Sequence, residues 1–245
     1  MPFEINKKKW DELYLNRNAE NRTHAEIDSV PDDEMWDDPE LGYDVVYLLN
    51  HITDKHTSIL DIGSGDGAVL GKLLMKYPYL YGLGIDGSSE AVLFALKKAK
   101  EYNIDNRCSF INQLMQKPFI FDKKFDVVIS NFALQFNTSE SARNVFQQIS
   151  YVLADDGLFC GKMRSINRDV PNTYKQYRGE PNTYISFEDH EYGLIYHHFS
   201  LEELKSYAKI LNGEIIYLHE EIEYKKYAPY EKRAWYEVVI SRCHL

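Results

Sequence analysis

Cysteine is scarce in this chain. Its three thiols, Cys108, Cys160 and Cys243, are odd in number, and no two stand at metal-ligand or redox spacing. That argues against a disulfide framework and against a cysteine metal centre, and no bound metal is expected. Cys108 and Cys160 fall in apolar, strand-like runs and read as buried reduced thiols. With no signal-like leader at the start of the sequence, they point to the cytoplasm. Long apolar runs are missing too, and none approaches the ~20 residues that a membrane-spanning helix needs. Basic residues are outnumbered, 28 against 38 acidic, for a net charge of −10. Such a surface repels phosphate backbones, so nucleic acid is a disfavoured partner. The tight basic cluster Lys7-Lys8-Lys9 reads as a solvated face.

What is present suits a folded enzyme-sized unit. The 245 residues are 44% apolar and 27% charged, enough to bury one large α/β core. Residues 1–55 are polar and helix-like, with scattered aromatics that include Trp10, Tyr14 and Trp36. From residue 56 the pattern changes to strand-like runs at 59–62, 80–85, 108–111, 125–130 and 158–163. Helix-periodic segments stand between them at 68–77, 88–102 and around 142–153. Asn137 with Glu140 is the expected capping pair of the third helix. Alternation of this kind argues for a parallel sheet covered on both faces. Residues 165–199 then break the alternation with a polar, Tyr-, Asn- and His-rich stretch. A long irregular segment of this sort is often a lid or binding insertion. Ser200 with Glu203 makes a capping box for the next helix, and Gly213 is placed to end it. Two β-rich segments, 214–224 and 235–242, read as a terminal hairpin with an antiparallel strand at one sheet edge. The division expected is one domain, 1–245: a helical cover (1–55), a core (56–163), an insertion and helix (164–212) and a hairpin (213–245).

The chemistry concentrates at the ends of the first two strands. The first runs into Asp61-Ile-Gly63-Ser64-Gly65-Asp-Gly67. Glycines at every second position let the backbone turn sharply and let a ligand lie against it, and a loop so placed sits where ligands bind in an open α/β sheet. The spacing is not the G-x-G-x-x-G of dinucleotide binding. Asp61 would repel a pyrophosphate, whereas a cationic group, such as the amino group and sulfonium of S-adenosylmethionine, suits it. The second strand ends at Asp86-Gly87, where a carboxylate can accept both hydroxyls of a ribose and exclude a 2′-phosphate. The third ends in Asn112-Gln113-Leu114, polar groups suited to an adenine amine beside an apolar side chain. The fourth delivers Asn131 to the same edge, followed by Phe132-Ala-Leu-Gln-Phe136, which would shield a transferable group from water.

In this order and spacing, 59–67, 84–86, 125–136 and 153–163 resemble the class I S-adenosylmethionine-dependent methyltransferase family. The resemblance implies a Rossmann-like, doubly wound, seven-stranded sheet, mostly parallel with an antiparallel last strand. It implies S-adenosylmethionine as cofactor, with Asp61, Gly63, Ser64, Gly65 and Gly67 along its methionine part. Asp86 and Gly87 would lie at the ribose, and Asn112, Gln113 and Leu114 near adenine. The family often has an acid where Asn112 stands. Trp10 and Tyr14 match aromatics that close over the cofactor in related enzymes, and also suit ordinary N-terminal packing.

Methyl transfer from a sulfonium asks a protein mainly to align the acceptor and exclude water. A hydroxyl acceptor would add the need for a base; among His190, His197 and His198, His197 is the expected one. The charge and the modest insertion favour a small-molecule N or O acceptor. Two alternatives stand beside it. One is an RNA methyltransferase like the cap guanine-N7 group, against which Gln135 occupies a position where that group has His. The other is a non-catalytic module of the same fold. No oligomeric state is legible.

Overall fold

Glycine- and asparagine-terminated apolar runs become parallel strands because the central ones bury both faces and must hand the chain to a covering helix. We describe residues 7–12, 15, 36, 46–188, 191–225 and 228–243 of a computed structural model. The core runs β1 (Ser58–Ile62), α1 (Ala68–Lys76), β2 (Tyr81–Asp86), α2 (Ser89–Glu101), β3 (Cys108–Asn112), β4 (Phe125–Asn131), α3 (Ser139–Val152) and β5 (Leu153–Arg164). Three short strands follow, β6 (Tyr174–Gln176), β7 (Thr183–Ser186) and β8 (Ile195–His197), then α4 (Leu201–Ile210), β9 (Gly213–Lys225) and β10 (Ala228–Arg242).

Seven strands form one sheet in the order β3-β2-β1-β4-β5-β10-β9. β1 through β5 pair parallel, and β10 runs antiparallel to both β5 and β9. The antiparallel last strand is present, but it lies inside the sheet, and β9 forms the edge. The hairpin reaches past its own first strand so that Val238 and Ile240 complete the apolar layer beside Phe159 and Met163. One layer of core sits beneath α3 and α4, where Phe146 stacks flat on Tyr207 at 4.0 Å. The other sits beneath α1 and α2, with Leu70, Val127, Cys160 and Trp36 among its members. Burial pushes the Cys108 thiol up to about 11 and raises Cys160 further, so both stay protonated. Among the described residues, no helix is long and apolar enough to cross a membrane.

Some local expectations shift. The cap of α3 is Thr138, whose hydroxyl accepts from Ser141 N–H; Asn137 turns inward to the Leu134 carbonyl and the Ser141 hydroxyl. α4 does start in the capping box of Ser200 and Glu203. It ends at Ile210 with Leu211 as its cap, the left-handed residue is Asn212 (φ 52°), and Gly213 opens β9. Residues 165–199 are not all irregular: β6, β7 and β8 make a three-stranded antiparallel sheet against the carboxyl end of the core.

Candidate functional site

The glycine loop is shaped by strain that only glycine tolerates. Gly63, Gly65 and Gly67 all take positive φ (73°, 55° and 80°), and a Cβ on Gly63 would lie 2.2 Å from that of Ala133. The loop is pinned to β2, since Gly63 N–H and Ser64 N–H both donate to Ile85 carbonyl, at 2.8 and 3.0 Å. Gly67 caps α1 at its N-terminus, and Asp66 accepts from Ala68 N–H.

Asp86 faces this loop. One carboxylate oxygen accepts from Gly65 N–H at 2.9 Å and the other from Ser88 N–H at 2.8 Å. These bonds orient the carboxylate across the loop mouth, with Gly87 N–H also close to it. Burial raises its pKa against those hydrogen bonds, and Asp11 adds to the rise. Asp61 lies behind, 2% exposed, with its pKa pushed up to about 8 by burial and then by the charges of Asp86 and Asp66. Three carboxyls thus crowd one end of the cleft, where a ligand cation would relieve their repulsion.

The end of β3 divides its roles. Asn112 Nδ2 donates to the carbonyls of Asp86 (3.0 Å) and Gly87 (2.9 Å), so it braces the turn that carries Asp86. Gln113 donates to the Pro118 carbonyl, while its Oε1 is buried without a partner. Leu114 lies against Gly87, where an added Cβ would meet it at 2.7 Å. Ser64 Oγ and Asn131 Oδ1 are likewise buried and unpartnered. Orphaned polar atoms on three loops of one sheet edge are what a removable polar ligand leaves behind.

The N-terminal helical residues reach this edge. Asp11, paired with Lys7 at 2.7 Å, accepts from the Ser88 hydroxyl at 2.8 Å and from Ser89 N–H at 3.0 Å. Trp10 packs edge-on to Phe136, ring centres 4.9 Å apart. Tyr14 and His190 lie outside the described residues.

The two adjacent histidines part company. Strand alternation sends them to opposite faces of the small sheet. His197 is 1% exposed, with Nδ1 2.8 Å from the Thr183 hydroxyl and Nε2 2.8 Å from Glu203. Both nitrogens are spent on pinning β8 to α4, so the ring as placed has no lone pair for an acceptor hydroxyl. The expected base is in this structure a staple. His198 is equally buried, yet neither of its nitrogens has a partner. Burial, then Arg164 and Arg168, bring its pKa down to about 3, so it is neutral.

Sequence reasoning missed Arg164 and Arg168. Arg164 ends β5; its N–H donates to Gln135 Oε1, and its guanidinium lies 3.9 Å from the centre of the Tyr196 ring. Gln135 also accepts from His197 N–H, so it fastens the small sheet to the core. Two arginines four apart at the end of a core strand, in an acidic chain, were the available signal.

Residues 59–157 match a family model described as a methyltransferase domain. The release factor glutamine methyltransferase of Aliivibrio fischeri is 35% identical over 93 residues, 38% of this chain and 32% of that protein. A probable S-adenosylmethionine-dependent methyltransferase of Saccharomyces cerevisiae is 33% identical over 153 residues, 60% of this chain and 46% of that one. The matched stretches therefore span less than half of either relative. Magnesium protoporphyrin IX methyltransferase from Synechocystis PCC 6803, solved with S-adenosylmethionine bound, shares the fold with a TM-score of 0.64. It is 15% identical, over 99% of this chain and 97% of that one.

Proposed function

We propose that this protein is a class I S-adenosylmethionine-dependent methyltransferase, in keeping with the methyltransferase-domain match over residues 59–157, and that it transfers the methyl group to an N or O atom of a small molecule. The observation that carries the reading is the acidic loop mouth: Asp86 held across Gly65, with Asp61 buried behind it. A cofactor with an ammonium, a sulfonium and a ribose diol meets that chemistry at each point, and a pyrophosphate does not.

In this reading the backbone of Gly63, Ser64, Gly65 and Gly67 lies along the methionine part. Asp61 faces its positive charge through the loop. Asp86 accepts the ribose hydroxyls, with Gly87 beside it. Asn112 acts one step back, by fixing the Asp86 turn. Gln113 offers its free Oε1 to the adenine amine, and Leu114 packs on the ring. Asn131 turns its free Oδ1 toward the transferable methyl. Trp10 roofs the cleft through Phe136. The bound cofactor supplies an activated methyl. The protein's own work is to orient the acceptor's lone pair in line with the breaking C–S bond and to keep water out.

The small-molecule acceptor is favoured by the net charge of −10 and by an insertion that sets its own sheet against Gln135 and Arg164 at the end of the core. Reduced, buried Cys108 and Cys160 suit a cytoplasmic setting. Titration calorimetry with S-adenosylmethionine, S-adenosylhomocysteine and NAD tests the core of the reading. Binding of both adenosyl ligands and not NAD is the expected result. Binding of neither would return the chain to a fold relative with another role.

A further inference from the structure

The small sheet presents one face to α4 and the other to the end of β5. Residues paired across it, Tyr184 with Tyr196, share that second face, as does Tyr174. His198 lies against Tyr184 on the same side, ring centres 5.1 Å apart. Tyr174 stacks on Tyr196 at 5.4 Å, and Tyr196 contacts Phe136 at 5.1 Å. Phe136 in turn meets Trp10. A continuous aromatic wall thus leads from the cofactor cleft to Arg164.

The far end of that wall is positively charged. Arg164 has no carboxylate at ion-pair distance among the described residues, and neither has Arg168. The backbone gathers them: Arg168 N–H turns back to the Ser165 carbonyl, while Phe199 N–H holds the Arg164 carbonyl beside His198. Burial, then the charges of Arg164 and Arg233, bring Arg168 down to about 10. Acidic groups are close, and each has other work. Glu191 accepts the Tyr174 hydroxyl, and Glu220 accepts the Ser165 hydroxyl and the Asn167 amide. Glu231 lies near enough to favour the charged form of Arg168. Two half-buried guanidiniums with no counter-ion among the described residues, Arg164 within hydrogen-bond reach of the Tyr174 hydroxyl, stand beside a 1% exposed imidazole with both nitrogens unsatisfied.

We propose that Arg164, Arg168 and His198 hold the carboxylate of a planar organic acid, which is the methyl acceptor, with its body along Phe136. This rests on the methyl-transfer reading above. The carboxylate is a handle at the basic end, and the atom that takes the methyl lies toward Asn131. That atom's lone pair forms the new bond to the methyl carbon. The C–S pair stays on sulfur, which becomes a neutral thioether, and a proton on the methylated N or O goes to solvent. His198, neutral at working pH, donates one N–H to the carboxylate.

The test measures binding of cinnamate, 4-hydroxybenzoate and indole-3-acetate, each with its primary amide, to the S-adenosylhomocysteine-loaded and the unloaded protein. At least one acid should bind the loaded protein about tenfold or more tighter than its amide. Arg168→Gln should remove about that factor, and Arg168→Lys part of it, because a lysine lacks the planar fork. S-adenosylhomocysteine affinity and melting temperature serve as fold controls and should stay unchanged. Acids binding no better than amides, no acid binding at all, or an unaltered acid affinity in a folded Arg168→Gln protein would overturn the proposal. Acids binding to a protein that takes no S-adenosylhomocysteine would support the anion site and sink the methyl-transfer reading instead.

Discussion

The two ends of the cleft carry opposite charge. At the glycine loop, Asp61, Asp66 and Asp86 crowd together and raise the Asp61 pKa. At the insertion, Arg168 is depressed by its own burial and by Arg164 and Arg233. Each end is strained by like charges, and each is relieved by a ligand group of the other sign. The contrast teaches that the net charge of −10 describes neither end. A chain that repels polyanions over its surface still builds one local site suited to a small anion, and a second suited to a cation.

That polarity can be broken at either end. The largest effect is expected from Asp86→Ala. It removes two charge-assisted bonds to a ribose and should weaken S-adenosylhomocysteine binding about 100-fold, or ~3 kcal/mol, by calorimetry. Acid binding at the arginines should be spared. His197→Ala should cost ~2 kcal/mol of stability in denaturant melts, because Thr183 and Glu203 lose their shared partner. His198→Ala breaks no hydrogen bond in the unliganded protein and should cost less, while weakening the acid. A general-base role for His197 would instead show as lost turnover with unchanged stability.

Titration sharpens the same contrast. In the free protein Asp61 is raised to about 8, and a bound cation should lower it. Binding therefore releases a proton, and affinity for S-adenosylmethionine should rise by up to about tenfold per pH unit as pH climbs toward 8, then level off. Calorimetry in two buffers of different ionisation enthalpy counts the proton, and Asp61→Asn should abolish it. Without ligand the sign reverses for stability: a folded-state pKa above the ordinary 3.8 means that this carboxyl's contribution declines as pH rises between about 4 and 8. The smallest effect is at α3, away from both ends, where Thr138→Ala should cost ~1 kcal/mol for the lost cap and leave both ligands' affinities unchanged.

The acidic end was legible in the sequence because its parts are local. A strand ending in spaced glycines and a second strand ending in Asp86 need no distant partner to be read. The basic end was not. β6 and β8 are three residues each, too short for periodicity to register, and His197 differs from His198 only through pairing with Thr183 across the small sheet. Asn112 looked like a ligand contact, and it braces the Asp86 turn because its side chain reaches across to the end of the neighbouring strand. Gly213 looked like a helix stop, yet the positive φ fell one residue earlier, on Asn212, which tolerates it nearly as well.

The placement of β10 has a consequence for how the chain is made. β5 can pair with β4 as soon as both have left the ribosome, but its other edge waits for residues more than seventy positions later. Until Trp235 through Ser241 arrive, the backbone of Leu158 to Arg164 is an open, largely apolar template, the kind on which nascent chains pair wrongly. Arg242, which ties the carbonyls of Ser150 and Leu153, then locks the late strand to the end of α3. Synthesis should therefore pass through a long-lived, sticky intermediate. Slowing elongation after residue 212 would lengthen its life, and chaperone demand should peak just before β9 and β10 emerge.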